Sequence, residues 1–154
     1  MTHTTSHEHP ERTIVRRAID KALTELPVTT NPLAIALGMT ILQARDGYVK
    51  IGYTVPESFT QGNGTVQGGI ISAMLDFSMV FAAFSMVPVH ATVTTVSQTT
   101  NYFRAARIGT LVVEAELEKV GRTLMNARAR LFGPDGLLLA SATAPIAVIA
   151  HAKN

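Results

Sequence analysis

The chain has no cysteine and no tryptophan, and only 16% of its 154 residues are charged. Without cysteine there can be no disulfide and no thiolate metal site. Thirteen basic residues stand against 11 acidic ones, a net charge of +2 that is too small to argue for nucleic-acid binding. No Lys/Arg cluster with interleaved aromatics argues otherwise. The opening MTHTTSHEHPER lacks the apolar stretch of a secretory signal, so the expectation is a cytoplasmic protein. His3, His7 and His9 read as part of a solvated tail rather than as metal ligands. Residues 1–10 are therefore expected to be disordered, ahead of a single domain over residues 11–154.

Apolar residues are plentiful, at 47%. So little charge beside so much apolar surface predicts a homo-oligomer. The feature that most needs explaining lies between Gly68 and Val87, GGIISAMLDFSMVFAAFSMV, where Asp76 is the single charge. A carboxylate in such a segment is costly to bury unless something holds it. Its position near the middle, diluted by Ser72, Ser78 and Ser85, argues against a membrane span. A helix apolar on every side is then a helix buried on every side.

Apolar spacing predicts a helix from Pro10 to Leu26, ended by Pro27. Asn31-Pro32 opens a short helix that runs to Leu37 and stops at Gly38. Strands follow over Met39–Ala44 and Tyr48–Val55, joined by the turn pair Asp46-Gly47. Pro56–Thr65 is a loop, and the apolar helix spans about Gly68–Ser85. Thr92–Phe103 reads as one strand, and Thr110–Val120 alternates Glu114, Glu116 and Glu118 with apolar residues. Arg128 and Arg130 alternate in the same way beyond Gly121. Placing both charged sets on one face requires paired positions of equal parity, hence an odd-length loop with a bulge. Gly133–Gly136 is a turn, and Leu137–Ile149 is the last strand, where Pro145 marks a bulge or an edge. His90 and His151 read as surface residues. This is an α+β layout: a curved antiparallel sheet wrapped around one long helix. Gly62, Gly64, Gly68 and Gly69 lack the Lys-Ser/Thr of a phosphate loop.

The run Gln61-Gly62-Asn63-Gly64-Thr65-Val66-Gln67-Gly68-Gly69, with Asp76 nine positions after Gln67, resembles the signature of hot-dog-fold acyl-CoA thioesterases. The nearest type is the phenylacetate-pathway (PaaI-like) group. Asn101-Tyr102-Phe103-Arg104-Ala105-Ala106 with Gly109, the pair Gly121-Arg122, and Asp135-Gly136 before Ala140 continue the likeness. Two residues depart from the pattern. Gln67 stands where the family has His, and Ala105 where it has Pro. Gln67 can donate and accept hydrogen bonds but does not titrate.

The resemblance implies a cofactor-free enzyme that hydrolyses an acyl- or aryl-acyl-CoA thioester, working as a homodimer or a dimer of dimers. It implies that the Gly68 N–H polarises the carbonyl and that Asp76 acts as general base or nucleophile. Within one helix these two residues lie about 12 Å apart at 1.5 Å per residue. One chain therefore cannot easily bring both to one carbonyl, and the resemblance places them across a dimer interface. Gln61 would position the carbonyl or the water, helped by Thr95 or its neighbour Thr94, of which alternation lets only one face the site. Substrate binding is assigned to Gln67, Gly69, Asn63 and Phe77. Arg104, Arg107 and Arg122 are candidates for the CoA phosphates. Met74, Phe77 and Phe81 are expected to line the acyl pocket. The competing expectation is a non-catalytic acyl-CoA binder that kept the fold; a hydratase is less favoured, since no His accompanies Asp76.

Overall fold

The computed structural model describes residues 8–150. Its elements in chain order are α1 (Pro10–Asp20), β1 (Leu26–Pro27), α2 (Pro32–Ala36), β2 (Thr40–Arg45) and β3 (Tyr48–Thr54). A single 3-10 turn at Glu57–Phe59 precedes α3 (Gly68–Phe84). Then come β4 (Ala91–Thr95), β5 (Thr99–Tyr102), β6 (Thr110–Val120), β7 (Leu124–Phe132) and β8 (Leu138–Ala150). The strands form one antiparallel sheet in the order β1-β2-β3-β6-β7-β8-β4, with β5 also paired to β8. The sheet packs around α3, whose Met74, Leu75, Met79, Phe81 and Ala82 are wholly buried against it. Each large side chain so buried contributes roughly 1.5–3 kcal/mol.

The first helix is shorter than its apolar spacing predicts. It ends at Asp20, and Leu26–Pro27 pairs with Ile41 and Thr40 as a strand. Ala22 and Glu25 take positive φ values, +47° and +56°, to turn the chain. The start is also earlier than the expected tail allows. His9 stacks on Phe84 at 4.6 Å and lies 2.7 Å from the Glu11 carboxylate, while Glu8 pairs with Arg12. The other tail histidines, His3 and His7, lie outside the described residues, as does His151. Arg12 and Arg16 donate to the carbonyls of Val87 and Ser85, so α1 supplies cations at the C-terminal end of α3. The short helix α2 begins as expected, with Asn31 Oδ1 accepting from the Ala34 N–H at 2.8 Å.

The β6–β7 hairpin brings the two charged faces together, with Glu114 opposite Arg130 and Glu116 opposite Arg128. The extra residue demanded by parity is a bulge at Glu118, where the register shifts between Leu117 and Lys119. The turn itself holds an even number of residues, since Val120 pairs with Met125.

The single strand predicted over Thr92–Phe103 is two. Thr95 pairs with Ile146 and Thr99 with Thr143, so this side of the ladder carries one residue more than β8. The cause lies on β8. The Val96 N–H donates to the Pro145 carbonyl at 2.9 Å, so the side of Pro145 that lacks an N–H faces β4 and β5. A ladder bond is missing there, and the partner strand bulges over Val96–Gln98.

Candidate active site

Helix α3 begins where Gln67 takes an extended conformation and caps it, its Oε1 accepting from the Gly69 N–H at 2.9 Å. Gln67 thus serves the helix start, and the Gly69 N–H is already used. The carbonyl of Gln67 accepts from Ile70 and Ile71. The Gly68 N–H has no hydrogen-bond partner among the described residues. Gly68 lines a cleft of about 440 Å³ together with Gln61, Asn63, Tyr102, Phe103 and Arg104, among others. The positive end of the helix dipole lies here too. Such an end, with an unpaired N–H, stabilises negative charge that develops in front of it.

Gln61 and Asn63 owe their places to the loop before α3. The Gln61 N–H donates to Thr65 O at 2.7 Å, closing the loop on itself. Asn63 Oδ1 accepts from the Thr65 hydroxyl at 2.7 Å, so this side chain braces its own turn. Val66 then bonds to the Ala106 carbonyl and Thr65 bridges to Arg107, which ties the loop to the segment after β5.

Asp76 lies two turns further along α3. It does not line the cleft. Its side chain is half-buried, and its Oδ1 accepts a 2.6 Å hydrogen bond from Thr95 Oγ1. That distance separates the two threonines: Thr95 meets Asp76, and Thr94 is exposed. Asp76 belongs to a stripe of Gly69, Ser72, Ala73, Asp76, Phe77 and Val80 that the chain's own sheet leaves incompletely covered. The helix is therefore buried on one side only within the chain, against the expectation of burial all round. Phe77 sits on this stripe in an edge contact with Phe81, ring centroids 6.3 Å apart, and outside the cleft. Met74 and Phe81, expected in an acyl pocket, are sealed in the core with no exposed surface.

Arg104 reaches the cleft, whereas Arg122 does not. The Arg104 N–H bonds to Leu139 O on β8, and Leu124, two residues after Arg122, pairs with Ala147. Those anchor points stand about 27 Å apart along one strand, at 3.4 Å per residue. One chain cannot bring both arginines to one phosphate group.

Several residues near the site carry roles that motif and spacing did not single out. Tyr102 Oη donates to Gly68 O at 3.0 Å and lies 2.6 Å from Ser72 Oγ. Gln98, placed by the bulge, donates to Ser72 O at 3.1 Å and to Thr100 Oγ1 at 2.8 Å. The spacing of Gly68, Ser72 and Asp76, one helical turn each, was the available signal for Ser72. On the buried side, Tyr53 Oη contacts Met74 O at 3.0 Å and Ser78 Oγ at 2.9 Å. Burial pushes the Tyr53 hydroxyl far above its ordinary ionisation range; its bond with Ser78 opposes this and the Asp76 charge adds to it. Among the described residues no helix is long and apolar enough to cross a membrane, and no three His, Asp or Glu side chains gather as a metal site.

A sheet wrapped around one helix, with an open cleft at the helix N-terminus, defines a hot-dog architecture. The model of the thioesterase superfamily matches residues 63–140, and the chain belongs to that superfamily. It is 38% identical over 109 residues to a Deinococcus radiodurans protein named "Putative esterase", covering 70% of this chain and 72% of that one. Among solved structures it is similar to a thioesterase family protein from Silicibacter pomeroyi, with a TM-score of 0.77 and 28% identity over 92% of this chain and 99% of the other. A phenylacetic acid degradation-related protein from Ralstonia eutropha gives a TM-score of 0.76 and 28% identity, covering 90% and 99% of the two chains.

Proposed function

We propose that this protein hydrolyses acyl-CoA thioesters at a site built from two copies of the chain. The observation that carries this is the pairing of two features on one helix. Gly68, whose N–H lacks a partner among the described residues, lines a cleft, and Asp76, held by Thr95, lies on the incompletely covered stripe two turns away. The separation of about 12 Å suits two sites related by a two-fold axis, each using Gly68 of one protomer and Asp76 of the other.

The thioester carbonyl accepts from the Gly68 N–H. As general base, Asp76 takes a proton from water as the water oxygen bonds to the carbonyl carbon; the C–S bond then breaks, the CoA thiolate leaves and takes up that proton, and the free acid remains. As nucleophile, the Asp76 carboxylate bonds to the carbonyl carbon and the C–S bond breaks to release the CoA thiolate. Water then hydrolyses the resulting anhydride, which frees the acid, regenerates Asp76 and supplies the proton to the thiolate. Thr95 holds the carboxylate in place, and Gln61 orients the carbonyl or the water. Arg104 faces the phosphates of CoA.

The test is a panel of acyl- and aryl-acyl-CoAs assayed by free thiol release, with wild type beside Asp76→Asn. Hydrolysis by the wild type and its loss in Asp76→Asn is the expected result. Turnover that survives the substitution overturns the assignment. One observation favours a second reading: the position of the family's His holds Gln67, whose side-chain oxygen accepts from the Gly69 N–H and which does not titrate. Tight binding of acyl-CoA with no hydrolysis of any ester would make the protein a binder.

A further inference from the structure

We propose that Tyr102 is the positioning residue for the Gly68 donor, acting through its hydroxyl and with Ser72 as its partner. The inference rests on the reading of Gly68 as the carbonyl-polarising group.

The first turn of a helix is its least constrained part, because its leading N–H groups have no partner within the helix. A Gly-Gly start makes this worse, since glycine retains the most backbone freedom. An N–H that must meet a developing oxyanion needs the opposite, a fixed direction before the substrate arrives. The Gln67 side chain fixes Gly69, and the Gln67 carbonyl, in the peptide plane that carries the Gly68 N–H, accepts from Ile70 and Ile71. The next peptide plane, which carries the Gly68 carbonyl, needs a hold of its own. Tyr102 acts on Gly68 itself. Its hydroxyl donates to the Gly68 carbonyl at 3.0 Å. Its ring lies against the Gly68 α-carbon, so that a methyl group added there would stand 3.5 Å from the ring edge.

The hydroxyl has one proton, which goes to Gly68 O, so Ser72 Oγ gives its proton to Tyr102 Oη across 2.6 Å rather than along its longer 3.4 Å contact with Thr100 Oγ1. Ser72 sits one turn beyond Gly68, and the helical ladder gives its own N–H to Gly68 O. The Ser72 carbonyl is in turn held by Gln98 at 3.1 Å. Both ends of the first turn are thus tied to β5 and to the bulge before it. Tyr102 is half-exposed and its ring is one wall of the cleft, so removal of the hydroxyl alone leaves the packing intact.

The experiment compares wild type, Tyr102→Phe, Ser72→Ala and the double variant in two ways. The first is acyl-CoA hydrolysis. Tyr102→Phe is expected to lower kcat about tenfold, a loss of one hydrogen bond's worth, with KM within about twofold. The double variant should lose no more than Tyr102→Phe alone, because the two groups act as one chain. The second is hydrogen exchange of the Ser72 amide, which should quicken at least about fivefold in Tyr102→Phe as the first turn loosens. Wild-type exchange at Ser72 overturns the inference whatever the kinetics show. An unchanged kcat with a raised KM also overturns it, since Tyr102 would then be a substrate contact. If no thioester is hydrolysed, or Asp76→Asn stays active, the proposed reaction fails, and the exchange result alone decides whether Tyr102 fixes Gly68.

Discussion

Thr95 Oγ1 donates a 2.6 Å hydrogen bond to Asp76 Oδ1, from the last residue of β4 to the uncovered stripe of α3. The bond holds the carboxylate in one rotamer on a face that the chain leaves open. Thr95→Val keeps the β-branched shape of the strand residue and removes the donor. It is expected to lower kcat on the order of tenfold, since hydrogen bonds to charged groups contribute about 1.5–3 kcal/mol. Thr95→Ser should restore most of the rate. Steady-state kinetics on the three proteins check this, and an unchanged kcat in Thr95→Val would remove Thr95 from the site.

The same residues show what a sequence can carry and what it cannot. The α3 helix and its isolated Asp76 were legible because they are local: an apolar run, an opening Gly-Gly and one charge. The cap by Gln67, which the sequence assigned to substrate binding, was not. That β6 and β7 share one charged face was legible from the alternation of Glu114 and Glu116 and of Arg128 and Arg130, but not where the odd residue falls, which is in the strand at Glu118. The break between β4 and β5 was not, since its cause is Pro145 on another strand. The end of α1 was not either, because Ala22 and Glu25 carry no local sign of positive φ. The depth of Met74 and Phe81 followed from which side of α3 meets the sheet, and a helix apolar all round does not declare that.

Gln67 anchors the start of α3 by accepting from the Gly69 N–H. Gln67→Ala removes this cap and should cost about 1 kcal/mol of stability. For a domain of this size that lowers Tm by roughly 2–4 °C. A thermal melt followed by circular dichroism measures it. An unchanged Tm would mean that the cap is made equally well by water.

Tyr53 gives the fold a pH dependence. Burial raises its ionisation well above the ordinary value near 10, so the folded state binds the phenolic proton more tightly than the unfolded chain does. The stability from this group is complete below pH ~10 and declines as pH rises beyond it, by up to about 1.4 kcal/mol per unit. Tyr53→Phe should lose about 1 kcal/mol at neutral pH, from the bonds to Met74 and Ser78, and should decline less steeply above pH ~10. Urea titrations of both proteins at pH 8 and pH 11 test this. Parallel losses in the two would contradict it.

The Gly68 donor can be deleted without disturbing the helix. Gly68 is the first helical residue, a position that suits proline, and Gln67 already has the extended ψ of 136° that a residue before proline requires. Gly68→Pro is therefore expected to fold, to keep its Tm within about 3 °C, and to lose about 10²–10³ in kcat. Gly68→Ala keeps the N–H, and its methyl would meet the Tyr102 ring at an ordinary 3.5 Å. It should stay within about threefold of wild type. Equal losses in the two variants would place the effect in the side-chain space rather than in the N–H.

Two inactive variants should restore each other if the site is shared between protomers. A mixed dimer of Gly68→Pro and Asp76→Asn holds one site with both defects and one with neither. The intact site takes its Gly68 from the Asp76→Asn chain and its Asp76 from the Gly68→Pro chain. Random assembly makes half of the dimers mixed, so the mixture should regain about a quarter of wild-type activity. Co-expression of the two variants with different tags, followed by tandem purification of the mixed dimer, raises the expected value to about half. A site formed within one chain predicts no recovery, because every chain then carries a defect in its own site. The outcome thus tests directly whether Asp76 and the Gly68 N–H, held about 12 Å apart on one helix, meet across a two-fold axis.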